Sequence, residues 1–201
     1  MASLAAPAPA PRPRVLGDVL PGARTRDALL VCAGALLTAL AAQIAIPVPP
    51  SPVPVTGQTL AVVIAGAALG ARRGAASQLL YVLLGLALPV YADGASGPDV
   101  LWGATGGYLI GFVIAAGLIG RVAELGADRR PLLAFLAFCG GQLVIFGIGV
   151  PWLKVSTDIG WADAVRNGFT PFIVGGLIKA AIGAAAVPAA WRLVRRVDAR
   201  R

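Results

Sequence analysis

The chain has 201 residues, 58% hydrophobic and 13% charged, with a mean hydropathy of +0.81, far more apolar than the roughly 45–50% usual for soluble domains. At about 20 residues per spanning helix, this length holds about six membrane helices with short connections and excludes a second globular domain. The net charge of +8 leaves nucleic acid or membrane topology to explain it, while the absence of histidine removes the commonest general base and metal ligand.

Residues 1–27 open with an Ala- and Pro-rich stretch carrying Arg12 and Arg14. They lack the continuous apolar core of a signal peptide, roughly 7–15 residues long, and are expected to form a disordered cytoplasmic tail. A six-helix membrane domain is expected over residues 28–191. Its first apolar run, 28–46, stops at the segment from Pro47 to Pro54, whose proline density rules out helix continuation. A short run, 58–69, reads as a helix that dips or tilts, and after Arg72 and Arg73 comes a run over 75–91. Further runs cover 106–119, 131–150 and 171–190, followed by a basic cytoplasmic tail over 192–201. Cys32 and Cys139 lie inside apolar runs, where a thiol behaves as a small hydrophobe.

The basic residues separate by side. With a cytoplasmic N-terminus, the inside segments hold Arg12, Arg14, Arg24, Arg26, Arg72, Arg73, Arg121, Arg129, Arg130, Arg192, Arg195, Arg196, Arg200 and Arg201, fourteen of the seventeen Lys and Arg residues. The outside loops hold Lys154 and Arg166 beside Asp93, Asp99, Asp158 and Asp163. This obeys the positive-inside rule. The expectation is an all-α, multi-pass protein of the lipid bilayer, both termini cytoplasmic, with no nucleic-acid partner.

Lys179 is the remaining basic residue and stands well inside the last run, eight residues after Pro171, which places it roughly 12 Å below that helix end. A charge at such depth costs about 2.5–3.5 kcal/mol on insertion scales, so it should face the interior and meet a partner or a ligand. Snorkelling, or pairing with an outer acid such as Asp158 or Asp163, is the structural alternative. Gly175, Gly176 and Gly183 leave the lysine's face of the helix bare, which suits either tight packing or a cavity. Thr105-Gly106-Gly107-Tyr108 opens the fourth run with glycines that allow close approach to the backbone, a ligand segment or a tight turn. Thr56, Gln58, Thr59 and Trp102 place polar and aromatic groups at the outer helix ends. Small pairs four residues apart, Ala35/Ala39, Gly66/Gly70, Gly107/Gly111 and Ala180/Ala184, let helices pack closely or, where exposed, dock a partner.

Lys154 follows Leu153 and Lys179 follows Ile178, so the Gly-Lys-Ser/Thr of a phosphate-binding loop is missing. No catalytic nucleophile and base pair is visible, and no cofactor is expected. Uphill transport would draw its energy from a partner.

Several segments together resemble the BioY family, the substrate-binding S components of energy-coupling-factor (ECF) biotin transporters. They are Ala42-Gln43-Ile44-Ala45-Ile46-Pro47, the stretch from Ser51 to Leu60, Gly70-Ala71-Arg72-Arg73-Gly74, Thr105 to Phe112, and Pro171-Phe172 ahead of Lys179. The resemblance implies a six-helix S component in the cell membrane that binds biotin from outside and works with a membrane coupling protein and ATPase subunits. It implies a substrate site including Lys179, Tyr108, Gln58, Thr56, Trp102, Thr105, Gly107 and Gly176, and a docking face for the coupling protein at Ala35 and Ala39. The family usually has an aspartate where this chain has Gly176. The charge of Lys179 is then met by the ligand's carboxylate or another acid, or the lysine is neutral. An S component for another small vitamin and a non-transport membrane assembly protein are the alternatives. An aspartate restored at 176 is expected to strengthen biotin binding.

Overall fold

The computed structural model describes residues 15–20, 22 and 24–199. Among the described residues eight α-helices lie in chain order: α1 (Arg24–Ala42), α2 (Gln58–Leu69), α3 (Ala71–Gly85), α4 (Pro98–Trp102), α5 (Gly106–Glu124), α6 (Pro131–Thr157), α7 (Trp161–Gly168) and α8 (Ile173–Asp198). Six of them, α1, α2, α3, α5, α6 and α8, correspond to the six expected runs, and four segments are long and apolar enough to cross a membrane. The short α4 and α7 lie in connections read from the sequence as loops. At 12 residues, α2 is about 18 Å long, less than the roughly 30 Å hydrocarbon thickness.

Several boundaries differ from the sequence expectation, each for a local reason. The first helix stops at Ala42 because the chain turns extended before Pro47, which disfavours helical geometry at the residue before it. Ala45–Ile46 (β1) then pairs antiparallel with Val55–Thr56 (β2), in the register Ala45↔Thr56 and Ile46↔Val55. α2 and α3 are separated by Gly70 alone, whose φ of +83° suits a residue without a Cβ. That turn draws Arg72 and Arg73 into the first turn of α3. The third helix ends at Gly85, where the Tyr91 ring folds back onto the space a side chain would need. Pro151 is accommodated within α6, which therefore runs past its expected end, and α8, with Pro188 inside it, continues through most of the expected C-terminal tail.

Of the expected N-terminal tail, residues 1–14, 21 and 23 lie outside the described residues. Leu16–Val19 forms a 3-10 turn with Val15 buried at its start. Arg73 binds it to the bundle, pairing with Asp18 at 2.6 Å and Asp27 at 3.1 Å.

α5 is the central helix, packed against α2, α3 and α6, while α8 closes the bundle against α6 and α2. Small residues permit these contacts: a Cβ on Gly111 would meet the Ile145 backbone at 2.9 Å, and one on Gly66 the Ala116 carbonyl at 2.8 Å. Leu29, Leu36, Leu40, Leu143, Val174 and Leu177 stay exposed on the outside of the spans, the surface that lipid covers in a membrane protein. Ala35 and Ala39 do not belong to that surface. They are 1% and 9% exposed, on the face of α1 turned toward the rest of the bundle. The docking face expected at these alanines is therefore corrected, because their small side chains are consumed in the chain's own packing.

Candidate functional site

The helix directions place Arg72, Arg73, Arg121, Arg129, Arg130, Arg192, Arg195 and Arg196 at one end of the bundle, and the hairpin, α4 and α7 at the other. A cavity opens at this second end. It encloses about 830 Å³ of empty space, a figure that includes the open solvent at its mouth. Its walls come from the hairpin (Val53, Pro54, Thr56), α2 (Gln58, Thr59), the α3–α4 connection (Tyr91, Ala92, Ala95) and α4 (Val100). The remainder comes from α5 (Thr105, Tyr108, Leu109, Phe112), α6 (Gln142, Phe146) and the α8 region (Phe172, Gly176, Lys179). No carboxylate lines it among the described residues.

Lys179 projects from α8 toward the hairpin, not toward solvent. Its Nζ donates to the Thr56 carbonyl at 2.5 Å and to the Thr59 hydroxyl at 3.2 Å. Among the described residues no carboxylate forms an ion pair with it. The alternative of a pairing with Asp158 or Asp163 is not found among the described residues, and Asp163 pairs with Arg166 at 2.8 Å. An ammonium has three N–H donors, so one remains for a ligand.

Thr56 extends the polar wall. Its hydroxyl donates to Gln58 Oε1 at 2.7 Å, and Gln58 Nε2 donates to the Tyr81 hydroxyl at 2.7 Å. Tyr81 is fully enclosed and packs edge-on against Tyr91, with ring centroids 5.8 Å apart. A buried chain of this kind holds its members in one orientation because breaking any link leaves a buried group unpaired. Thr105 donates to the Val100 carbonyl at 3.1 Å, fastening α4 over the start of α5.

The opposite wall is aromatic. Tyr108 contacts Phe146 edge-on at 6.1 Å, and Phe146 meets Phe169 at 5.2 Å and Phe172 at 5.6 Å. The Tyr108 hydroxyl donates to the Gly168 carbonyl at 2.8 Å, so the ring is a fixed apolar surface whose polar tip is occupied. A polar group against one wall and rings against the other is what an amphipathic small molecule requires.

Of the residues singled out in the sequence, Lys179, Tyr108, Gln58, Thr56, Thr105 and Gly176 line this one cavity. Trp102 and Gly107 do not. Trp102 is 69% exposed and stacks on Trp152, centroids 6.0 Å apart. A side chain on Gly107 would run into the Trp152 ring, and Trp152 is held by its Nε1 donating to the Gly103 carbonyl at 2.9 Å. The group that approaches the glycine backbone is thus a tryptophan of α6, not a ligand. Phe112, Phe146, Phe172 and Tyr91 also line the cavity, a placement not legible from an aromatic residue in an apolar run, which carries no positional signal of its own. Gln142 did carry one, as an amide inside a 27-residue apolar helix, since polar groups inside a span are costly and mark function.

Three comparisons bear on this geometry. The family model described as the BioY family matches residues 13–196. Biotin transporter BioY2 of Lactococcus lactis subsp. cremoris is 39% identical over 155 residues, covering 75% of this chain and 82% of that protein. Biotin transporter BioY of Thermotoga maritima is 38% identical over 143 residues, covering 69% of this chain and 81% of its own length. A crystal structure described as the S-component for biotin from an ECF-type ABC transporter superposes with a TM-score of 0.71, at 24% identity, over 89% of this chain and 95% of that one, a likeness of fold. With the family match running through every spanning helix, the chain is a multi-pass membrane protein that belongs to the BioY family.

Proposed function

We propose that this chain is the S component of an ECF-type biotin importer. It captures biotin from outside the cell membrane in the Lys179 cavity and delivers it with a membrane coupling protein and ATPase subunits. The observation that carries the reading is Lys179 itself: an ammonium in the second turn of α8, fixed by the Thr56 carbonyl and the Thr59 hydroxyl, beside a cavity with no carboxylate in its lining among the described residues. A site so built recruits an electronegative oxygen from its ligand, and biotin offers one at each end, a urea carbonyl and a carboxylate. The Tyr108, Phe146 and Phe172 rings match the thioether ring and the methylene chain between them. The names of the related biotin transporters support the same ligand. The polar groups here bind and orient, as in a carrier, and partner ATPases supply the energy for uptake.

Equilibrium binding to the purified chain in lipid nanodiscs tests this, with thiamine, riboflavin and lipoate beside biotin. Selective, saturable binding of biotin is expected. Binding of another vitamin in preference to biotin, or of none by a well-folded sample, overturns the assignment.

A further inference from the structure

Gln142 stands inside α6 and is 5% exposed. At such a position the protein or a ligand has to satisfy the amide. Its Nε2 donates to the Gly176 carbonyl at 2.8 Å, whereas its Oε1 is buried with no hydrogen-bond partner. That oxygen lies 2.6 Å from where a Cβ on residue 176 would stand. The Gln142 amide therefore occupies, from α6, the place a side chain of residue 176 would take on α8.

Several other polar groups of the cavity are committed. The hydroxyls of Tyr91, Thr105 and Tyr108 donate to backbone carbonyls, and Gln58 Oε1 accepts from Thr56. Among the described cavity residues, Gln142 Oε1 is the buried side-chain acceptor left without a partner. Lys179 follows Gly176 by three residues and shares its face of α8. An N–H donor and a carbonyl acceptor thus belong to the wall of one cavity. A cyclic urea is the complement of that pair, with its carbonyl oxygen beside its N–H groups.

We propose that Gln142 is a specificity-determining residue of this site, its Oε1 accepting a hydrogen bond from a ureido N–H of the ligand. The inference rests on the biotin reading above. The terminal torsion of glutamine is broad, so the amide turns toward a donor while staying between α6 and α8. The oxygen gains a partner when a ureido ligand arrives, and a ligand without the N–H leaves it unpaired. That asymmetry is how sites built for a polar group reject analogues that lack it.

The test uses the full chain in nanodiscs, titrated with biotin and with its two N-methylated isomers, each lacking one ureido N–H. Gln142→Leu is expected to weaken biotin about 5- to 150-fold, the range for a buried donor left unpaired, and to narrow the preference for biotin over one isomer. Gln142→Glu keeps an acceptor and is expected to keep that preference. If Gln142→Leu does not fold, Gln142→Met carries the same comparison. Wild type that binds biotin while the Leu or Met variant matches it within twofold overturns the inference and leaves the biotin reading intact. So does an equal loss for biotin and both isomers, since that is the mark of a merely structural role at the Gly176 carbonyl. Wild type that binds no biotin removes the reading itself, and this inference with it.

Discussion

Replacing Lys179 with methionine keeps most of the side chain's length and apolar volume while removing its charge and all three donors. In the folded chain two of those donors serve the Thr56 carbonyl and the Thr59 hydroxyl. The loss therefore has a structural part, the release of the hairpin from α8, and a ligand part, the third donor. A charge-assisted hydrogen bond contributes about 1.5–3 kcal/mol, which corresponds to about 10- to 150-fold in biotin Kd for the ligand part alone. The structural part is small in the folded protein, because methionine leaves no buried charge behind and relieves the insertion cost of the lysine. Isothermal titration in nanodiscs reads the first part, and thermal unfolding of the empty chain reads the second. A Lys179→Met protein that melts like wild type and binds biotin with unchanged affinity would refute the assignment of the third donor to the ligand.

Gly107→Ala drives a methyl into the Trp152 ring and should destabilise the chain by roughly 1–3 kcal/mol, whereas Trp102→Ala, on the surface, should leave biotin affinity unchanged; loss of affinity in the second protein would return Trp102 to the site. Ala35→Leu overfills the buried face of α1 at a similar cost, while Leu36→Ala on its exposed face should leave the melting temperature where it was, and the reverse ranking would mean the faces are wrongly assigned. Gly176→Asp requires Gln142 Oε1 to move from 2.6 Å, so the single change should weaken biotin binding, contrary to the gain the family residue suggests, and Gln142→Ala in addition should recover it; a gain from the single change would show that the amide yields freely. Asp128, outside the spans, is enclosed beside Trp191, whose Nε1 donates to it at 2.5 Å, and burial raises its carboxyl above the ordinary 3.8. The folded chain therefore holds that proton to higher pH than the unfolded one, and this group's contribution to stability falls as pH rises from the ordinary value through the raised one. Asp128→Asn should remove that fall, and a pH-independent difference in melting between the two proteins would count against burial as its cause.

The all-α, multi-pass class was legible in the sequence because it rests on quantities that accumulate along the chain. Apolar run length sets what can cross a bilayer, and it adds up residue by residue. Lys179 was legible for the same reason, as one charge against a run of apolar neighbours. Which small residues face inward was not. Ala35 and Gly107 look like a docking surface and a ligand platform in one dimension, and the packing of α1 into the bundle and the Trp152 ring against α5 turned both into internal contacts. Gln142 shows the limit most plainly. The sequence displays a missing side chain at Gly176 and, 34 positions earlier, an amide in an apolar helix, with nothing to connect them. Only the crossing of α6 and α8 places the amide in the space the glycine leaves, because proximity between helices is decided by how their surfaces interdigitate and not by any periodicity within either.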